Sequence, residues 1–571
     1  MVKFDEEKQK RQIEELRRDE EEKLAEVLSR KYGLDYIDLT RLSINNDALR
    51  VIPEAEARGA KLAPFDIIGR KLKIAVLAPK NEKTVALIEE LTKKGYTSTL
   101  FMVSGKSLER AWGRYEELKE GTETEAGILE ISNEEIGQAM EKVKSIEDVR
   151  AIIEETLSQK GTYRISRILE TILGAALTLE ASDVHIEPEE GYIRLRYRLD
   201  GVLTDILTFK KETFGLLLSR LKLLSGLKLN LKKSGQDGRF SIKVKNTEIE
   251  IRTSVLPGAY DESVVMRILN PKTIAVPMEE LGVPLSLYPL LEREIRKPTG
   301  MILNTGPTGS GKTTTLYAFL KKIHSPDIKI ITIEDPIEYH IEGVVQTQVD
   351  HKNYTFAEGL RSAVRQDPDV IMVGEIRDNE TAETAVNAGL TGHLVLSTLH
   401  TNNAAGAFPR LVDLGVNSSV MGSAINIVMA QRLLRKLCKE CRKEKELEGE
   451  EKTFVENVIA NLPEKSKGVT LSKVFEAAGC PSCHNSGYRG RIGIFEAIRM
   501  TEAVEAAVRQ NSSEREIVKA SKDQGLLSLI EDGVLKVLQG VTTLSELGRV
   551  IDLGLSVKEG EKWKDTAGNR V

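Results

Sequence analysis

The chain has 571 residues, 40% of them hydrophobic and 30% charged, a globular composition too long for one ordinary core. Its 82 Lys and Arg nearly balance 87 Asp and Glu, and the net charge of −5 argues against a strongly basic nucleic-acid binder. No stretch reads as a signal peptide or a membrane span, because Gly, Ser, Asn or His interrupt both long uncharged runs, 384–409 and 414–431.

Residues 4–30 are dense in charge and read as a helix with one apolar stripe at Ile13, Leu16, Leu24, Val27 and Leu28, either solvated or partner-binding. Together with a small α/β region they form a first domain, 1–120, whose clearest strand is 72–77 and whose clearest helix is 82–93. Residues 121–160 are acidic and read as a linker. A second domain, 161–287, opens with a helix over 165–178. Strands follow around 183–186, 192–199, 240–244, 248–254 and 263–269, several of them separated by the turn signals Glu190-Gly191, Asp200-Gly201 and Pro257-Gly258. In 192–199, Arg194, Arg196 and Arg198 alternate with apolar residues, so they share one face of the strand. Residues 288–502 alternate strand and helix patterns, as an α/β sheet requires. Residues 503–571 are mostly helical and end in a polar tail.

Gly306-Pro307-Thr308-Gly309-Ser310-Gly311-Lys312-Thr313, with Thr314 behind it, follows an apolar strand at 301–303 and opens a helix over 313–323. Strand, glycine loop and helix N-terminus are what phosphate binding needs: glycines let backbone N–H groups close around the anion, and the helix end adds positive potential. In this setting Lys312 reaches the β- and γ-phosphates of ATP and the Thr313 hydroxyl ligates Mg²⁺. Two later strands end in carboxylates, 329–333 at Glu334 and 370–373 at Glu375. Phosphoryl transfer needs one carboxylate near Mg²⁺ and another to orient water. His393 and His400 flank a further apolar strand, where a histidine is able to sense the γ-phosphate.

These segments resemble the Walker A, Asp box (IEDPIEY, 333–339), Walker B (RQDPDVIMVGEIRD, 365–378) and His box (TGHLVLSTLHTN, 391–402) of the ATPases of type II secretion and type IV pilus assembly or retraction. The resemblance implies an α/β, multidomain fold: a RecA-like core, preceded by a PAS-like α+β domain and a small N-terminal docking domain. It implies that Glu334 activates water, that Glu375 supports Mg²⁺, and that His393 and His400 form the His-box pair. It also implies arginine fingers from the second domain, with Arg194 and Arg196 as first candidates and Arg239, Arg252 and Arg267 as further ones. Two departures stand out: Gly235 precedes Gln236-Asp-Gly-Arg239 where the family has proline, and Asp261-Glu262-Ser263 replaces Gly-Glu-Arg.

All four cysteines form two Cys-x-x-Cys pairs, Cys438/Cys441 and Cys480/Cys483, which in a reducing compartment suit a structural Zn²⁺ held by four thiolates. They bracket a Glu- and Lys-rich insertion within a zinc element, 436–489, that resembles the one in assembly-type members. The expectation is a cytoplasmic homohexamer acting with an inner-membrane platform protein and with the cytoplasmic domain of a membrane-anchored assembly protein. Neither nucleic acid nor direct membrane insertion is expected. A retraction motor, a nucleic-acid translocase and a nucleotide-gated scaffold are the competing readings.

Overall fold

The computed structural model describes residues 21–39, 44–45, 48–49, 51–68, 71–119, 128–130, 143, 145–158, 164–244, 247–270, 276–350, 354–466, 473–510 and 513–555. Two units are distinct, 1–126 and 127–571.

The first unit is a four-stranded sheet of β1 (Asp35–Tyr36), β2 (Leu62–Ile68), β3 (Lys71–Val76) and β4 (Thr97–Met102), in the order β1-β4-β3-β2. Strand β3, the helix Glu82–Lys93 and the parallel strand β4 form a βαβ unit. Asn81 starts that helix by accepting from Lys83 N at 3.0 Å, the role short polar side chains play at N-caps. Of the charged N-terminal helix, 21–32 is helical and Glu22 ties it down by accepting from Tyr36 Oη at 2.5 Å and Ser104 Oγ at 2.6 Å. Residues 4–20 lie outside the described residues.

Among the described residues the second unit holds two seven-stranded sheets and one two-stranded sheet. The first comprises β5 (Ile128–Glu130), β6 (Asp183–Pro188), β7 (Ile193–Leu199), β8 (Val202–Phe209), β9 (Gln236–Val244), β10 (Thr247–Pro257) and β11 (Glu262–Leu269), ordered β5-β9-β10-β11-β6-β7-β8. One face packs on the helices Ile146–Ser158, Arg164–Thr178 and Lys211–Leu224 through Ile186, Leu195, Tyr197, Ile251 and Val264. The linker expectation changes here. Strand β5 pairs with β9, and Ile146, Val149 and Ile153 are buried in this core, so the domain begins before residue 161.

The second sheet comprises β12 (Gly300–Thr305), β13 (Ile330–Glu334), β14 (Val345–Gln348), β15 (Val370–Val373), β16 (Leu394–Leu399), β17 (Ile425–Leu437) and, beyond a two-stranded excursion of β18 (Lys443–Lys445) and β19 (Val474–Glu476), β20 (Tyr488–Arg499). Its order is β14-β13-β15-β16-β12-β17-β20, parallel throughout except for β20. Strands β12, β15 and β16 are buried along their whole length because helices cover both faces. Met278 and Leu287 on one side, and Val504, Val534 and Leu547 on the other, belong to its cores, so the ATPase fold extends beyond 288–502 at both ends.

The insertion between the cysteine pairs is better anchored than its composition suggests. The helix Gly449–Ala460 buries Val455 fully, and Phe454, Val458 and Ile459 pack against the main core. Among the described residues no helix is long and apolar enough to cross a membrane.

Candidate functional site

In a parallel sheet the carboxyl ends of the strands open on one crevice. Here β12, β13, β15 and β16 end there in Thr305, Glu334, Val373 and Leu399. The loop after β12 is the glycine loop. At Gly306 (φ +153°) a Cβ would lie 2.6 Å from both Gln431 O and Ser310 Oγ; at Gly311 (φ +88°) it would meet Gln431 Nε2 at 2.9 Å. Only glycine lets the backbone pass this close to β17. Gly311 precedes the helix Lys312–Ile323, so the first-turn N–H groups point into the loop. Ser310 Oγ is buried and has no hydrogen-bond partner, as a group awaiting an anion would be. Lys312 Nζ is folded onto the loop, donating to Gly306 O at 2.7 Å and Pro307 O at 3.2 Å. Burial pushes its ammonium down to about 8, Arg432 adding to the effect and Glu375 opposing it. The donor set fits a triphosphate carried with Mg²⁺.

Glu375 lies at the mouth of β15. Arg377 Nη2 is 2.6 Å from its Oε1 and His400 Nε2 is 3.2 Å from its Oε2. Gly374, where most P-loop proteins carry aspartate, is packed on the Asp-box strand: a Cβ there would lie 3.3 Å from Ile333 O and 3.6 Å from the Glu334 Cα. Glu334 is 2% exposed. Its Oε1 accepts from Thr332 Oγ1 at 2.5 Å and Gln346 Nε2 at 3.1 Å, and its Oε2 accepts from Tyr317 Oη.

His393 does not share this crevice. It precedes β16 at the amino end, beside Gly300 of β12, and its Nδ1 lies 3.2 Å from Ala388 O. The six residues of β16 separate it from His400, which at ~3.3 Å per residue puts the two histidines about 20 Å apart along the strand. The ring pins a helix end, whereas His400 lies beside Glu375.

The second-domain arginines divide into two groups. Arg194 donates twice to Asp205 at 2.7 Å, Arg196 reaches Glu187 at 2.6 Å, and Arg198 lies 3.3 Å from Asp183. Arg239, Arg252 and Arg267 face one another in register on β9, β10 and β11, with Glu250 3.8 Å from Arg239 and 3.0 Å from Arg252, and Asp183 3.0 Å from Arg267. Three like charges side by side oppose folding unless anions meet them. Arg252 Nη2 donates to Ile337 O at 2.6 Å and Nη1 to Glu338 Oε2 at 3.3 Å, so it is Arg252 that reaches the Asp box. Burial holds Glu338 above the usual carboxylate range, with Arg252 and Arg267 pulling it back.

Two neighbours of the glycine loop carry no motif of their own. Gln431 Oε1 accepts from Asn304 Nδ2 at 2.9 Å and Thr315 Oγ1 at 2.8 Å, clamping β12 to the loop's helix. Arg432, 8% exposed, donates to Asn402 O at 2.8 Å, joining the glycine loop to the segment after His400. Their only signal is polarity in an otherwise apolar strand.

The four cysteine sulfurs lie within 4.8 Å of one another. The Cys438–Cys480, Cys441–Cys483 and Cys480–Cys483 Sγ separations are 3.8, 3.7 and 3.6 Å. A tetrahedron with ~2.3 Å metal–sulfur bonds requires about 3.8 Å along its edges, whereas a disulfide would need about 2 Å. The set fits a closed four-thiolate metal site.

Residues 158–549 match the family model described as "Type II/IV secretion system protein". The chain belongs to this family. It is accordingly an ATP-hydrolysing enzyme of the secretion and pilus class. Residues 32–122 match the MshEN domain. A "Type II secretion system protein E" of Pseudomonas aeruginosa is 45% identical over 398 residues, covering 70% of this chain and 77% of that protein. A "Type IV pilus assembly ATPase PilB" of Myxococcus xanthus is 35% identical over 536 residues, covering 92% and 91%. Among solved structures, the Legionella pneumophila ATPase DotB aligns with TM-score 0.50 and 20% identity over 69% of this chain and 97% of its own, a likeness of fold.

Proposed function

We propose that the chain is a hexameric motor ATPase whose turnover powers the assembly of pilin-like subunits, in type IV pilus biogenesis or type II secretion. The observation that carries this reading is the convergence of the Lys312 loop, Glu375, His400 and Glu334 at one sheet edge, in a chain that aligns nearly end to end with a pilus assembly ATPase. Lys312 and the backbone N–H groups of 306 and 308–314 hold the phosphates, with Pro307 shaping the loop, and Thr313 with Glu375 holds Mg²⁺, which neutralises charge on the phosphates when bound. Glu334 orients and deprotonates the attacking water. His400, paired with Glu375, responds to the γ-phosphate.

The arginine charge at the γ-phosphate comes from the Arg239–Arg252–Arg267 row, a reading supported by the alignment of the three side chains in register and by the reach of Arg252 to the Asp box. Zn²⁺ is the metal the four thiolates suit, in a structural role. The motor works at the cytoplasmic face of the inner membrane, attached through a platform protein and the cytoplasmic domain of a membrane-anchored assembly protein, without nucleic acid.

Glu334→Gln tests the chemistry: nucleotide binding should persist and hydrolysis should fall by on the order of 10² or more, the usual contribution of a general base. Normal hydrolysis by Glu334→Gln would remove Glu334 from that role. Stimulation of turnover by a platform protein supports the motor reading, and stimulation by DNA instead would favour a translocase.

A further inference from the structure

Glu334 is the most enclosed carboxylate of the site, and both its oxygens are engaged. Oε1 takes Thr332 Oγ1 and Gln346 Nε2; Oε2 takes the Tyr317 hydroxyl. Three donors take three of its roughly four acceptor positions, and the Tyr317 hydroxyl is the group that fixes Oε2. Tyr317 is fully buried on the glycine-loop helix, five residues after Lys312, with Tyr339 edge-on against its ring at 4.8 Å. Its oxygen also accepts from Glu338 N at 3.3 Å and Gln346 Nε2 at 3.4 Å. Glu338 and its neighbour Ile337 are in turn the two groups held by Arg252 from strand β10. One continuous run of hydrogen bonds therefore joins the second domain to the water-activating carboxylate: Arg252, Ile337–Glu338, Tyr317, Glu334.

We propose that Tyr317 is a positioning residue that locks Glu334 in this arrangement, and that Arg252 sets the lock through the 337–338 segment. This rests on Glu334 being the base. While Arg252 grips Ile337 O and Glu338, the Glu338 amide keeps the Tyr317 hydroxyl aimed at Glu334. When the second domain draws Arg252 away, the segment relaxes, the hydroxyl loses its fixing partner, and Oε2 becomes free to accept from water. Hydrolysis is thereby tied to the position of the second domain, and not merely to nucleotide being bound.

The test is steady-state ATP hydrolysis by full-length protein carrying Tyr317→Phe, Glu338→Gln, or both. Tyr317→Phe keeps the ring in its core place and removes the hydroxyl. Basal kcat should rise about three- to tenfold, the net worth of one ordinary hydrogen bond, with KM for ATP within about twofold. Glu338→Gln weakens one of the two grips of Arg252 and should raise kcat about twofold. The double variant should not exceed Tyr317→Phe, since both changes release the same carboxylate.

An unchanged or lowered kcat in Tyr317→Phe, or multiplying effects in the double variant, overturns the lock. Glu334→Gln in parallel separates the two ideas. If it stays inactive while Tyr317→Phe is unaccelerated, the base stands and the lock is wrong; if it stays active, the base reading itself has failed.

Discussion

Removing the metal from the cysteine site should loosen a short loop and leave the insertion folded. The loop 479–487 has four residues with positive φ: Gly479 (+92°), His484 (+51°), Asn485 (+59°) and Gly487 (+74°). The two that are not glycine cost about 1 kcal/mol each. Against this, Cys483 is the one cysteine of the loop that is fully enclosed, and a side chain that small contributes less than the ~1.5–3 kcal/mol of a buried valine or leucine. Without metal the loop has a net reason to open; with it, a structural zinc contributes on the order of 10 kcal/mol. The helix Gly449–Ala460 is different, because Val455 and its neighbours sit in the main core whether or not zinc is bound. Metal analysis of reduced protein should find one zinc per chain. After chelation, or in Cys480→Ser, amide hydrogen exchange should accelerate at 479–487 and at Cys438–Arg442. It should stay slow at 453–460 and at 313–323, and ATP binding should be retained. Loss of protection throughout 449–460 would mean that metal, and not the core, holds the insertion. Unchanged exchange at 479–487 would remove the structural role of the site.

Lys312→Ala should abolish turnover with little change in melting temperature, because its nitrogen bonds only loop carbonyls; turnover near wild type would sink the phosphate assignment. Gln431→Leu leaves Asn304 and Thr315 without a shared acceptor and should destabilise by about 2–4 kcal/mol in urea unfolding while raising KM for ATP. Replacing Arg239, Arg252 and Arg267 with Ala should cost about 10³ or more in kcat, whereas Arg194→Ala, an exposed ion pair, should change stability by less than about 1 kcal/mol and turnover little. At Glu546 burial opposes ionisation, but hydrogen bonds from Arg549 and Arg435 outweigh it and hold the carboxyl below its ordinary 4.5. A depressed carboxylate adds stability above that value and loses it as pH falls further, so wild-type unfolding free energy should drop below about pH 4.5 more steeply than that of Glu546→Gln.

The chemistry that sits in consecutive residues was legible from the amino acids alone. Gly306–Thr313 must turn tightly before a helix, the acidic residues must close their strands, and Cys-x-x-Cys twice over brings four sulfurs into one cluster. These are local constraints, satisfied within a few residues. Strand polarity separates the two histidines: in a parallel sheet the carboxyl ends face the crevice, so His400 flanks that end of β16 and His393 the other.

What joins Tyr317 to Glu334, Gln431 to Asn304 and Arg252 to Glu338 is different in kind. These partners lie 17, 127 and 86 residues apart, and no periodicity links them. The order β13-β15-β16-β12-β17 brings Gln431 beside the glycine loop, and the register of β9, β10 and β11 aligns three arginines that the sequence scatters over Arg239 to Arg267. Likewise, charge content made the insertion look coreless, while packing buried the one face that matters through Val455. Residue type and spacing decide what a loop can bind. Which distant polar groups share a buried neighbourhood is decided by sheet order and packing, because a hydrogen bond in the interior depends on where two strands meet and not on how far apart they lie along the chain.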